Sequence, residues 1–557
     1  MKPANTATTS LPLYLTRFAA TGLFVASTLL VIGCENPASL LSTVISSPFS
    51  FFSNGESKTP KTKAPVQESS SSNKSGSADE LVKGWEKPDL TLFVTGRLHG
   101  YIEPCGCTGL SNQKGGLLRR HTCQKMLQAK GWNPVSIDAG NMIRRFGQQP
   151  AIKLKTAYKS ISKIMKYDAI GMGIDDMKVS GGDMLLSIEE AKQTEESPTP
   201  FTSVNMALFE DASYIAPFRI IERNGKKVGV LSAIGAEHVE KALAAGPNDE
   251  FTLAMPERAI ANALRNPAFA ACEVKVLLIQ SEPENCQAMA LKFPFFDLVV
   301  TAGGAGDPTL QPTPIKTSRG VTQMIQCGVK GMYVGVVGID FAANGSKAIK
   351  YQRVALDASF EDSKPIREIF LGYQTELKTL WEGGDLEDIK PRLHPSGHKF
   401  VGSEACRDCH DVEYDIWKDG HAGDGGPHAK ATADLTDPGE RTWVKRNFDP
   451  ECVSCHVTGW NPQNYYPYQT GYTDLKKDIL LHGNGCENCH GPGSGHIAAE
   501  DGDDKALQEK LRLEVRVTIE EAKARTCYEC HDLDNSPDYA EAEDGWDKYW
   551  PTIEHGG

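Results

Sequence analysis

Eight of the 15 cysteines in this 557-residue chain lie between Cys406 and Cys530, in four Cys-x-x-Cys pairs each followed at once by histidine. The units are Cys406, Cys409 and His410; Cys452, Cys455 and His456; Cys486, Cys489 and His490; and Cys527, Cys530 and His531. Two thiols three positions apart can form thioethers to the two vinyl groups of a porphyrin, and the adjacent imidazole then turns under the ring to reach its iron. At this chain's own Cys and His frequencies, chance would give on the order of 0.01 such pentads. A zinc ribbon would place its pairs roughly 15–20 residues apart and leave each histidine unexplained. Eleven of the 14 histidines fall from His394 onward, so spare imidazoles accompany the pentads. The expectation is four covalent haem c groups, with His410, His456, His490 and His531 as proximal iron ligands.

A chain this long needs more than one core. Apolar runs at Leu90–Val94, Val228–Leu231, Val274–Ile279 and Phe296–Val300 read as buried strands, and Ala151–Tyr167 and Pro256–Asn266 as helices between them. Such alternation predicts a layered α/β domain over residues 88–355. A charged helical connector is expected over 356–395, with its helix at about Ser363–Asp388. Residues 396–557 lack long apolar runs and are expected to form a small, mostly helical and irregular multihaem domain, its centre filled by porphyrin.

The amino terminus points to export. An apolar run from Phe18 to Gly33 follows Arg17 and ends at Cys34. At about 16 residues it is short for a span and suits a signal segment. Val31-Ile32-Gly33-Cys34 resembles a bacterial lipobox, which implies cleavage after residue 33 and acylation of Cys34; an uncleaved signal anchor is the alternative. Residues 34–87, rich in Ser, Lys, Pro and Gly, read as a flexible tether. The net charge of -13 argues against nucleic acid and favours basic protein partners.

The pentad region resembles the tetrahaem cytochrome c-554 family over about Phe400–Leu533. The resemblance rests on Gly402-Ser403-Glu404-Ala405, Tyr414-Asp415-Ile416-Trp417, His428-Ala429-Lys430-Ala431, Cys455-His456-Val457-Thr458-Gly459-Trp460 and Gly485 to Gly493. It implies an electron carrier, with distal iron ligands at His428 and His496. His421-Ala422 competes with His428, as though Gly423 to Pro427 split one element. His394, His398 and His482 are further candidates. A third distal histidine, expected just upstream of the last pentad, is missing from Glu514–Thr526, so one haem is expected to be five-coordinate or to borrow a ligand from elsewhere.

The middle domain resembles calcineurin-like metallophosphatases of the 5′-nucleotidase branch, over about Leu90–Phe341. The resemblance implies a metallophosphatase-like sandwich whose metal ligands are largely lost. Arg97 stands where the first Asp should be, before His99-Gly100. Asn141 replaces the bridging carboxylate after Asp138-Ala139-Gly140. Gly173-Ile174-Asp175-Asp176 replaces Gly-Asn-His-Glu, and Gly303-Gly304-Ala305-Gly306 holds no histidine. Two-metal hydrolysis needs those ligands, so no catalytic divalent metal is expected and phosphoesterase activity is expected to be lost. Arg97 is read either as a small-anion site in the old phosphate pocket or as a surface or salt-bridged side chain. The remaining Cys105, Cys107, Cys123, Cys272, Cys286 and Cys327 suggest disulfides in an exported protein, or a metal on Cys105 and Cys107.

The leading expectation is a lipid-anchored cytochrome on the periplasmic side of a bacterial membrane, relaying electrons between redox proteins, a carrier more than a catalyst. The alternatives are a multihaem oxidoreductase acting on a small nitrogen or sulfur compound at a five-coordinate haem, and, disfavoured, a metal-dependent nucleotidase.

Overall fold

The structure is a computed structural model and describes residues 78–104, 113–192, 194, 199–211, 213–246, 248–437, 444–533, 535–540 and 544–555. Cys34, the signal segment, Cys105 and Cys107 lie outside the described residues, as does the tether up to residue 77. Residues 78–87 do not behave as a tether: Leu81 and Val82 are buried and Trp85 stacks on Trp132 at 6.3 Å. Burying those three side chains outweighs the polar composition around them. No helix among the described residues is long and apolar enough to cross a membrane.

Two six-stranded mixed sheets form the first region. In one, Leu90–Thr95, Val135–Asp138, Ala169–Gly171 and Phe201–Thr202 run parallel, while Tyr333–Phe341 and Lys347–Ala355 add an antiparallel edge. In the other, Lys226–Ile234, Val274–Gln280, Leu298–Thr301 and Gly320–Gln326 are parallel, flanked by antiparallel Arg219–Arg223 and Thr313–Thr317. Side chains alternate across each strand. Leu90, Leu92 and Val94 therefore meet Val228, Val230, Val276 and Leu278 in the core between the sheets. Phe93 points the other way, into a core shared with helices Leu117–Ala129, Gln148–Tyr158 and Gly181–Ala191. Leu231, Leu277 and Val299 pack outward on helices Pro256–Leu264 and Pro283–Lys292. The result is four layers, helix–sheet–sheet–helix.

All four predicted strands appear within two residues of their expected ends at one side or both, the last as Leu298–Thr301. The helix expected at 151–167 begins earlier, at Gln148, because Asp388 accepts hydrogen bonds from the free N–H groups of Gln148 and Gln149. It then passes into a π-type stretch, Lys159–Ile164. Cys123, Cys272, Cys286 and Cys327 are free thiols, correcting the expected disulfides. Burial pushes the thiols of Cys286 and Cys327 up to about 12.

The connector helix, Lys364–Gly383, is no free spacer. It buries Ile366, Phe370, Tyr373 and Leu377, a stripe at helical spacing, against the first region. Its far end stacks Trp381 on Trp460 of the carboxyl-terminal region, 5.6 Å apart and 13° from parallel. Residues 68–557 form one compact unit. The carboxyl-terminal region is made of short helices and turns around one small core of Phe400, Leu435, Val453, Val457, Trp460, Tyr472 and Leu481.

Candidate haem-binding site

Each pentad occupies about one helical turn. The Cys406 carbonyl accepts the backbone N–H of His410 at 3.0 Å, and the Cys527 carbonyl that of His531 at 2.8 Å. The second and third units lie in helices Pro450–His456 and Cys486–His490. One turn places both thiols and the imidazole on a common side. Three of the four imidazoles are also held by Nδ1: His456 by the Ala431 carbonyl at 2.6 Å, His490 by the Val515 carbonyl at 2.8 Å, and His531 by the Ser536 hydroxyl at 3.1 Å. An imidazole fixed through Nδ1 presents Nε2 to a metal.

The remaining imidazoles stand opposite these. With metal–imidazole bonds of about 2.0–2.1 Å and each ring nitrogen about 1.1 Å from its ring centre, two trans imidazoles have centres about 6.3 Å apart. His410 and His496 are 6.5 Å apart, His428 and His531 6.2 Å, and His490 and His555 6.2 Å. Three pentad histidines thus each face a second imidazole across a gap that fits one metal. Burial, and behind it the neighbouring His531, His456 and His555, push His428 down to about 4, so its ring is neutral and keeps a lone pair at neutral pH.

His428 and His496, the two distal candidates, each lie opposite a pentad imidazole, and His421 lies opposite none among the described residues. The His421 Nε2 lies 2.9 Å from the Glu554 carbonyl on the surface, which takes that nitrogen out of reach of any iron. His482 is engaged likewise, its Nε2 at 2.9 Å from the Leu475 carbonyl. His394 packs edge-on against Phe400 and Tyr468, and His398 lies beside Glu514. His555, two residues from the carboxyl end, is a partner that the sequence reading misses. A census of unassigned histidines could have found it, since it is the only one beyond the last pentad. No second imidazole pairs with His456 among the described residues.

The pentads are grouped in space. The thiols of Cys406 and Cys486 lie close enough to perturb each other, as do those of Cys455 and Cys530. The first unit thus adjoins the third, and the second adjoins the fourth. A cavity of about 610 Å³ is bounded by Cys452, Cys455 and His456 on one side and Cys527, Cys530 and His531 on another, with Cys489 of the third unit at its edge. Its thiol edges, paired imidazoles and aromatic lining suit porphyrin.

Cys409 departs from the expectation that porphyrin fills the centre of this region. It is exposed, and it does not bound the cavity that Cys489 reaches from the third unit. The cause is the position of the first pentad: every residue from Arg407 to Val412 is exposed, and the helix that follows, Asp411–Asp419, buries only Tyr414. The turn carrying Cys409 therefore lies at the rim of the fold rather than in its interior.

The first region closes part of the cavity, through His99, Tyr101, Ile143, Pro150 and Lys153 among others, and it grips the chain just ahead of Cys452. Buried Asp449 accepts hydrogen bonds from Gln149 Nε2 at 2.5 Å, Gln374 Nε2 at 3.1 Å and the Tyr373 hydroxyl at 3.3 Å. Lys153 pairs with Glu451 at 2.5 Å, and Arg446 pairs with Glu103.

At the phosphoesterase-like positions, the polar groups are spent on the fold. Arg97 donates through Nη1 to the carbonyls of Gly303 and Gly304, at 3.3 and 2.8 Å, and forms no salt bridge among the described residues. Asp138 accepts from Thr95 at 2.5 Å, from the Gly140 N–H at 2.8 Å and from Arg120 at 3.3 Å. Asp176 accepts from the N–H groups of Asn141, Met142, Ile143 and Gly173. Among the described residues, no cluster of three or more His, Cys, Asp or Glu is placed to hold a metal ion.

Residues 405–491 match the family of cytochrome c554 and c-prime. Cytochrome c-554 of Nitrosomonas europaea is 34% identical over 104 residues, which are 17% of this chain and 39% of that protein. The chain therefore spans about two fifths of the length of that relative. Among solved structures, a 5′-nucleotidase precursor from Thermus thermophilus aligns with 57% of this chain and 62% of its own, at 17% identity and a TM-score of 0.43. The NAD nucleotidase of Haemophilus influenzae aligns with 54% of this chain and 72% of its own, at 14% identity and a TM-score of 0.42. Residues 405–491 are thus similar to the cytochrome c554 and c-prime family, a likeness that implies covalently bound c-type haem there.

Proposed function

We propose that the chain is an electron-transfer protein carrying four covalent haem c groups, one on each pentad. His410 and His496 would hold one iron, His490 and His555 a second, and His428 and His531 a third; His456 alone would hold the fourth. The observation that carries this reading is the set of three imidazole pairs spaced 6.2–6.5 Å apart, each containing one pentad histidine. Bis-imidazole haem supplies one-electron chemistry whose potential the surroundings tune. The protein's part is to fix each ring through two thioethers, to orient the imidazoles through Nδ1, and to bring the first unit to the third and the second to the fourth. Those contacts support rapid exchange within pairs.

Export and acylation at Cys34 complete the proposal, with the protein held on the periplasmic face of a bacterial membrane. The net charge of -13 favours basic redox proteins as partners. The test is maturation in a host competent for c-type haem attachment, followed by intact mass and a haem count per chain. Four haems are expected; a colourless product with the mass of polypeptide plus lipid would overturn the reading.

One observation favours a second reading. His456 has no partner imidazole among the described residues, so its iron would keep a position for a small molecule. An oxidoreductase of a small nitrogen or sulfur compound would use that position. No comparable observation favours phosphoester hydrolysis, since Asp138, Asp176 and Arg97 already serve backbone and side-chain partners.

A further inference from the structure

The cavity at the second pentad belongs to two regions of the chain. Its lining carries four carboxylates, Glu103, Asp434, Asp449 and Glu451, and four strong cations, Arg144, Arg145, Lys153 and Arg446. Two of each cancel across the junction, in the pairs Lys153–Glu451 and Arg446–Glu103. Asp449 is buried and satisfied by neutral donors. Asp434 lies near the His456 ring. Arg145 differs from the rest. Its guanidinium lies over the Tyr465 ring, 4.1 Å from the centroid, and no carboxylate pairs with it among the described residues. Stacking occupies the face of a guanidinium and leaves its N–H edge for a planar, two-oxygen anion. Arg145 lines the same cavity as Cys452, Cys455 and His456.

We propose that this cavity is a binding site for a small oxyanion, received by Arg145 beside the axial position that no imidazole takes at His456. The proposal rests on the reading of His456 as the sole protein ligand of its iron. It gives the first region a present role: having lost its metal ligands, it furnishes the cationic wall of a ligand pocket whose other wall is haem. His99, the one phosphoesterase-type ligand retained in place, lines that cavity too.

The experiment uses the full four-haem protein and reads optical spectra. Nitrite is the anionic probe, titrated into the oxidised protein; carbon monoxide is the neutral probe for the reduced protein. Wild type, Arg145→Gln and Arg145→Lys are compared. A charge-assisted bond contributes about 1.5–3 kcal/mol, so Arg145→Gln should weaken nitrite binding about tenfold or more. Arg145→Lys should fall between the two, and carbon monoxide affinity should not change. Nitrite affinity in Arg145→Gln within about twofold of wild type would overturn the proposal. So would carbon monoxide binding without nitrite binding in the wild type, which would leave the open axial position standing. If neither probe binds the wild type, the open position itself is refuted, and the proposal falls with it.

Discussion

Asp449 is the residue on which the junction between the two regions turns, and its removal should be costly. Its carboxylate, 5% exposed, faces Gln149, Tyr373 and Gln374, all of them buried. Asp449→Ala leaves one N–H of Gln149, one of Gln374 and the Tyr373 hydroxyl without this acceptor. Each orphaned buried donor costs about 1–3 kcal/mol. Gln149 and Tyr373 also bond each other at 2.8 Å, which softens the loss. The expected destabilisation is therefore about 2–4 kcal/mol, well short of three full penalties. Asp449→Asn keeps the volume but turns an N–H₂ group toward other donors, and should cost about 1–3 kcal/mol. Urea unfolding of the haem-loaded protein, followed by far-ultraviolet circular dichroism and Soret absorbance, measures both. The Soret change should come at lower urea in both variants, because Asp449 directly precedes the helix carrying Cys452–His456. Shifts below about 0.5 kcal/mol in both would refute the view that this network secures the second pentad.

Three further outcomes follow from named groups. His555→Ala should convert one low-spin haem to high spin, read by optical and paramagnetic resonance spectra, whereas His421→Ala should leave spin states unchanged. His496→Ala should convert a different haem, so that the double variant with His555→Ala shows two converted haems. Burial raises the Asp176 carboxyl to about 7, so between about pH 4 and pH 7 the folded chain binds more protons than the unfolded one and stability falls as pH rises. Asp176→Asn should flatten that slope in unfolding experiments run across the window; an unchanged slope would mean that Asp176 does not cause it.

The pentads and the sheet core were legible because their chemistry is local. Three fixed residues within five positions specify a haem attachment unit, and apolar runs such as Val274–Ile279 specify a strand buried on both faces. What the pattern does not carry is where each unit sits, so the exposure of Cys409 was out of reach. The axial partners were legible only where the resemblance supplied them. His421 and His428 could not be separated by spacing, since the choice depends on how the Gly-rich stretch folds. A Cβ on Gly426 would come within 1.8 Å of the Trp417 carbonyl, and Gly425 and Gly426 donate back to Asp419 and Lys418. The loop therefore doubles back on its own helix, leaving His421 outside and turning His428 in. His555 pairs with His490 across the whole of the last pentad, a tertiary contact that no local pattern records. Likewise, Gln149, Tyr373 and Asp449 come from three distant segments, and only folding brings them together.

The account depends most directly on the axial ligands of the four irons. Quantitative paramagnetic resonance of the fully oxidised protein counts them. The account predicts three low-spin bis-imidazole haems and one high-spin haem, the last lost when His456 is replaced. Four low-spin haems, or more than one high-spin haem in the unaltered protein, would contradict it.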